Sequence, residues 1–149
     1  MPDRPTINAD AFSHKLQVSG EDIDELGHVN NVVYVRWVQD VAIAHWQTVS
    51  TEAMRAKYSW VLLRHEIDYR NPAFLNDAIL GQTWVGKHEG PKFERFVVLF
   101  NEATGVVLAE SKTVWCLLDA QTMRPKRIEE DIVAAFGGGR KSRIVNRKS

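Results

Sequence analysis

The sequence predicts an α+β domain in which one long helix lies against a five-stranded antiparallel sheet. Three observations carry that reading. A single stretch, from Asn31 to His45, spaces its apolar residues at three and four, whereas five others have strand character. The last three strands are separated only by hairpin-length segments rich in turn residues, which leaves no room for crossover helices. Finally, 149 residues make one domain, long enough to bury ~70% of its unfolded surface without a disulfide or a structural metal.

Each element has its own signal. Phe12, His14, Leu16 and Val18 share one face at period two, predicting a half-buried first strand. A loop follows, bounded by Gly20 and Gly27. From Asn31, the residues Tyr34, Trp37, Val38, Val41 and His45 recur over nearly four turns and define the long helix. Asn30 or Asn31 is its N-cap, because a side-chain amide oxygen accepts an otherwise orphaned first-turn N–H. A short helical stretch is expected around 51–57. Val61, Leu63, His65, Ile67 and Tyr69 then alternate with Leu62, Arg64, Glu66, Asp68 and Arg70, a strand closed by Asn71-Pro72. Runs at 79–87, 93–100 and 106–118 complete the sheet, separated by turns at 88–91 and 101–105. A last amphipathic turn, 129–136, stops at Gly137, Gly138 and Gly139. Residues 1–139 are expected to form the single domain, and 140–149 a basic, disordered tail.

Composition excludes several classes. Nineteen Lys and Arg against 19 Asp and Glu leave no net charge, which argues against a dedicated nucleic-acid binder. The balance is uneven. Arg140, Lys141, Arg143, Arg147 and Lys148 stand in the last ten residues with no acid, so residues 1–139 carry 14 basic against 19 acidic side chains, a net charge of −5. The lone Cys116 cannot form an internal disulfide and reads as a buried, inert thiol within the run from Thr113 to Leu118. The first ten residues lack the layout of a signal peptide, and no apolar run approaches the roughly 20 residues of a membrane helix. A soluble, cytoplasmic protein is expected. There is no nucleophile elbow, no phosphate-binding P-loop and no dinucleotide fingerprint. His14, His28, His45, His65 and His88 lie far apart, so no metal site is expected.

The informative stretch runs from Asp22 through Asp24, Gly27, His28, Val29 and Asn30 to Asn31, with Tyr34 and Trp37 beyond it. It feeds the start of the long helix. Unpaired amides and the positive dipole end polarise a carbonyl docked there and stabilise an oxyanion, which is half of an acyl-transfer site. Asp24, on the loop and outside the helix, is placed to supply the other half as nucleophile or base. Gly27 leaves the backbone open to a close approach. The same residues also fit a purely structural role, with Asp24 closing an Asx turn, His28 bonding a loop carbonyl and the asparagines capping the helix. Spacing alone leaves both readings open.

The pattern Asp22-Ile23-Asp24 through His28-Val29-Asn30-Asn31, then Tyr34 and Trp37, resembles the signature of the hotdog-fold acyl thioesterases. It is most similar to bacterial acyl-CoA thioesterases of the 4-hydroxybenzoyl-CoA thioesterase type, and it shares His-Val-Asn-Asn with plant acyl-ACP thioesterases. The stretch from Ile67 to Asp77 resembles that family's second strand and exit turn. The hairpin at 101–105 and the strand end from Val114 to Asp119 fall in register, so the resemblance covers residues 12–120. It implies a sheet wrapped around the helix, and a homodimer, or a dimer of dimers, with active sites at the subunit interface. It further implies hydrolysis of an acyl-CoA to the free acid and CoA, with no metal or redox cofactor.

In that frame Asp24 is the catalytic carboxylate, attacking the thioester or activating water. Asn31 offers its backbone amide as the oxyanion contact, and His28 is a second polar group of the catalytic set. Gly27, Val29, Asn30 and Tyr34 line the substrate pocket. The family's phosphate-gripping basic cluster corresponds here to the turn from Lys87 to Lys92, which retains only those two lysines. Trp37, Trp46, Trp60, Trp84 and Trp115 either line an acyl tunnel or pack the core. Two other activities fit the same fold: an enoyl-CoA hydratase or dehydratase using Asp24 with His28, and a non-catalytic acyl-CoA-binding module.

Overall fold

The computed structural model describes residues 11–138. Strand β1 (Phe12–Gln17) leads through a 3-10 turn (Gly20–Asp22) to helix α1 (Asn31–Val49) and the short helix α2 (Glu52–Lys57). Strands β2 (Tyr58–Tyr69), β3 (Ala78–Glu89), β4 (Lys92–Asn101) and β5 (Val107–Asp119) follow, then α3 (Glu130–Val133), which continues into a wider turn at Ala134–Gly138. The sheet is antiparallel throughout, in the order β1-β3-β4-β5-β2. This is the α+β architecture that the spacing predicts. The first ten residues and the basic tail, 140–149, lie outside the described residues. Among those described, no helix is long and apolar enough to cross a membrane.

Helix α1 buries Val33, Tyr34, Trp37, Val38, Val41, Ala42 and His45 on one side, the stripe expected of a helix laid on a sheet. Opposite lie Ile79, Val97, Leu99 and Ala109, from β3, β4 and β5. The two layers approach closely at Gly81, where a Cβ would sit 2.5 Å from Cγ2 of Val41. A second apolar cluster forms around Tyr58, Phe93, Leu117, Ile128 and Ile132, where α3 folds back over the sheet. There the Tyr58 hydroxyl donates to Asp131 at 2.6 Å.

The second strand departs from the sequence expectation in two ways. It begins at Tyr58 rather than Val61, and Leu63 is skipped by the pairing, since Leu62 faces Trp115 while Arg64 faces Val114. That bulge reverses the inward parity partway along the strand. Tyr58, Trp60 and Leu62 are more buried than Val61 and Leu63 in the first half, and His65 and Ile67 are the more buried residues of the second. Val61 and Leu63, expected to share a face with His65, are instead 41% and 52% exposed.

Candidate active site

The loop before α1 is folded by its own polar groups. Asp22, 4% exposed, accepts from the Ser19 amide at 2.9 Å, the Ser19 hydroxyl at 3.2 Å and Arg36 Nη2 at 3.1 Å. Burial pushes its carboxyl up, but the Ser19 and Arg36 bonds outweigh burial and hold it below its ordinary value. Because Arg36 sits on the second turn of α1, this cluster sets the loop against the helix. Its carbonyl also accepts from the Asn30 amide at 2.9 Å, and Ile23 pairs with Val29 across a single bridge. Asp22 is therefore a positioning residue that the sequence reading left without a role.

Within this frame the Asp24 to His28 segment is a closed turn. The Asp24 amide donates to the His28 carbonyl at 2.9 Å, and Gly27 donates to the Asp24 carbonyl at 3.0 Å. Gly27 has φ +86°, a left-handed conformation that glycine adopts without strain, and the space beside its Cα is open. Asp24 Oδ1 accepts from the Leu26 amide at 2.9 Å, the Asx turn of the structural reading. The same oxygen lies 3.9 Å from His28 Nδ1, too far for a hydrogen bond. No partner for Oδ2 is found among the described residues. One carboxylate oxygen therefore shapes the turn, as the structural reading expects.

Helix α1 starts where the loop ends. The Asn30 side chain caps it, accepting from the Val32 amide at 2.9 Å. The Asn31 amide, one residue earlier, has no acceptor among the described residues, as first-turn amides do. Asn31 lines a cleft of about 200 Å³, walled also by His28, Val29 and Tyr34 and by Tyr69, Arg70, Asn71 and Pro72. Asp24 is not on that wall and connects to it through His28.

The second wall comes from the end of β2 and its exit turn. Tyr69 donates to the Asn31 carbonyl at 3.3 Å and packs edge-on against Tyr34, with ring centroids 5.5 Å apart. Arg70 pairs with Glu110 at 3.0 Å. Tyr69, Arg70, Asn71 and Pro72 were legible only as a strand end and a turn, because nothing local ties them to a helix start 38 residues earlier.

The other expected site residues are placed as follows. Val29 is 1% exposed and belongs to the core, so what it offers the cleft is its backbone. Tyr34 is 2% exposed, and its hydroxyl accepts from the Ala73 amide at 2.9 Å. Lys87 and Lys92 are exposed beside the β3–β4 turn. Strand β3 starts next to the loop, with Ala78 opposite Gln17. Lys87 lies nine residues further on, about 30 Å at ~3.3 Å per residue, so one protomer does not bring these lysines to the cleft. Trp37 is core and Trp84 stacks on Phe96, whereas Trp46, Trp60 and Trp115 line a separate pocket near the end of α1.

Comparison with known proteins agrees with this architecture. Slr0204, a 1,4-dihydroxy-2-naphthoyl-CoA thioesterase from Synechocystis, superposes with a TM-score of 0.73 at 15% identity, over 85% of this chain and 95% of its own. SAV2348 of Staphylococcus aureus, solved in complex with CoA, gives a TM-score of 0.75 at 16% identity, over 91% of this chain and 87% of its own. By sequence, the long-chain acyl-CoA thioesterase FadM of Escherichia coli is 24% identical over 123 residues, 79% of this chain and 91% of its own. An uncharacterised Mycobacterium tuberculosis protein, Rv2001, is 27% identical over 116 residues, 78% of this chain. The match spans only 45% of that longer relative. The thioesterase-like superfamily matches residues 18–136, four-fifths of the sequence and all of the elements from the loop before α1 to α3. The chain belongs to that superfamily and has its hotdog fold.

Proposed function

We propose that the protein is an acyl-CoA thioesterase in which Asp24 delivers the nucleophile and the Asn31 amide receives the oxyanion. One observation carries this reading: Asn31, at the start of α1, and His28, 3.9 Å from Asp24, line a single cleft. The thioester carbonyl oxygen docks at the Asn31 N–H, where negative charge developing on it is stabilised more than the ground-state carbonyl. Asp24 either attacks the carbonyl carbon itself or takes a proton from the water that attacks. The tetrahedral intermediate then expels the CoA thiolate, which is protonated. The water-activating route yields the free acid directly, and the attacking route yields it after water cleaves the mixed anhydride. The sequence similarity to FadM across nearly all of that enzyme's length supports a CoA thioester as the substrate class.

The site is completed by a second copy of the chain. β2 is a 12-residue edge strand, and an unpaired edge of that length with exposed Val61 and Leu63 is a template for strand pairing. Leu26, Val32, Phe74 and Leu75, each within three residues of a cleft-lining residue in the sequence, and Tyr69 on the cleft itself are exposed apolar side chains that a partner would cover. Lys87 and Lys92 contribute to CoA phosphate binding only if a partner brings them there.

Thiol release from short, medium, long and aromatic acyl-CoAs tests the reading. Asp24→Asn is expected to slow turnover by about 10²–10⁴-fold with the fold unchanged. Near-normal release in that variant overturns the role given to Asp24. The Asp24–His28 contact also suits hydration of an enoyl-CoA, which consumes the conjugated double bond and releases no thiol.

A further inference from the structure

A second pocket, of about 60 Å³, opens near the C-terminal half of α1 and is walled by Ala42, Ile43, Trp46, Trp60, Val85, Phe93, Arg95, Trp115 and Phe136. It is separate from the Asn31 cleft. Ile43 lies 12 residues along the helix from Asn31, about 18 Å at 1.5 Å per residue, and the two sets of lining residues share no member.

Eight of the nine walls are apolar or aromatic, and the ninth is a buried charge. Arg95 is 5% exposed. Its Nη1 donates to His45 Nδ1 at 2.9 Å and to the Thr83 hydroxyl at 2.8 Å, and its guanidinium carbon lies 5.2 Å from the ring centroid of Phe136. These contacts hold the group in place without neutralising it. None of its bonds reaches a carboxylate among the described residues, and burial alone pulls its pKa down to about 9, so the cation persists at neutral pH. A buried guanidinium normally sits against a carboxylate. A second donor is also unmet on this wall: Trp60 Nε1 is buried without an acceptor among the described residues.

A pocket that holds only donors and apolar surface selects its ligand by what it lacks. An acyl chain alone fills the aromatic part and leaves Arg95 uncompensated. A bare inorganic anion meets the charge but must shed its water against tryptophan and phenylalanine rings. We infer that this pocket is a ligand site for a small amphipathic acid, with its carboxylate on Arg95 and its apolar part among Trp46, Trp60, Phe93 and Trp115. The pocket is about 60 Å³ where one water needs about 10–15 Å³, so the space admits several non-hydrogen atoms. That fits a short-chain or aromatic acid rather than a long one.

The five tryptophans provide the readout, because three line the pocket while Trp37 and Trp84 do not. The full chain carrying ¹⁵N-labelled tryptophan is titrated with hexanoate, and separately with neutral hexanamide of matched shape. Hexanoate is expected to move the indole signals of Trp46, Trp60 and Trp115 saturably and to leave those of Trp37 and Trp84 in place. Hexanamide, and hexanoate with the Arg95→Met variant, are expected to bind about tenfold more weakly or worse, since each lacks one half of a charge-assisted hydrogen bond. Three results overturn the inference: no movement of the three signals up to about 10 mM hexanoate, equal affinity for hexanoate and hexanamide, or unchanged hexanoate affinity in Arg95→Met. Should Arg95→Met fail to fold, the acid–amide comparison on the wild-type chain decides alone.

Discussion

The Tyr34 hydroxyl accepts a hydrogen bond from the Ala73 amide at 2.9 Å, while the Ala73 carbonyl receives one from the Val29 amide at the same distance. Ala73 is wholly buried, so both groups of its backbone are satisfied by the two residues flanking the helix start. This pair of bonds sets the width of the cleft between α1 and the exit of β2. Tyr34→Phe removes the acceptor and leaves a buried N–H unsatisfied, at a cost of about 1–3 kcal/mol. The urea midpoint is expected to fall with an unchanged slope, and KM for acyl-CoA to rise more than kcat falls.

Asp22 makes the attachment of the loop to α1 sensitive to acid. Its carboxyl is held below its ordinary value of 3.8 in the folded chain. The stabilisation is therefore complete above that value and is lost as pH falls through the lower, folded one. At neutral pH Asp22→Asn is expected to destabilise by about 1–2 kcal/mol, the lower part of the range for charged hydrogen bonds because Arg36 is more than half exposed. Urea titrations of both proteins are expected to converge as pH drops below 4. A gap that stays constant with pH shows that the charge is not what the loop depends on.

Gly81 is required by the helix above it. In Gly81→Ala the new methyl meets Val41 Cγ2 at 2.5 Å, and Val41, stiff at χ1 and fully buried, has nowhere to turn. Overpacking of this kind costs about 1–3 kcal/mol. Adding Val41→Ala opens the same space, so the double variant is expected to be more stable than the sum of the two single effects. Additive losses, measured by thermal or urea unfolding, place the cost somewhere other than this contact.

The edge of β2 is the surface on which the proposed assembly depends. Leu63→Lys puts a charge on the bulge of that edge, a device that blocks strand pairing. Light scattering is expected to show a shift from dimer to monomer, with normal circular dichroism and a fall in thiol release. A variant that remains dimeric and active moves the interface off β2.

Much of this architecture is legible in the sequence because it is written in local periods. Tyr34 to His45 identifies the helix, the Asn30-Asn31 pair offers its cap, which the structure assigns to Asn30, and the 101–105 segment marks the hairpin between β4 and β5. The β2 bulge is not legible, since the alternation through Val61 and Leu63 looks unbroken and only pairing with β5 shows the skip. The loop before α1 is visible as a cluster of residue types, yet the opposite wall at Tyr69 to Pro72 depends on a crossing that no spacing encodes. Arg95 is the clearest omission. An arginine between Glu94 and Phe96 reads as surface, and its burial follows from odd-numbered positions of β4 facing the helix together with Phe93, Val97 and Leu99.

The strand order β1-β3-β4-β5-β2 also has a temporal meaning. β3, β4 and β5 are joined by tight turns and pay little loop-closure entropy, so they are expected to pair early. β1 must wait for a partner some 60 residues away, as Gln17 opposite Ala78 makes plain. The loop carrying Asp24 hangs between that late strand and the helix. An intermediate with its hairpins formed is thus already sheet-like but has no cleft, and recovery of activity on refolding should lag behind recovery of β-sheet signal.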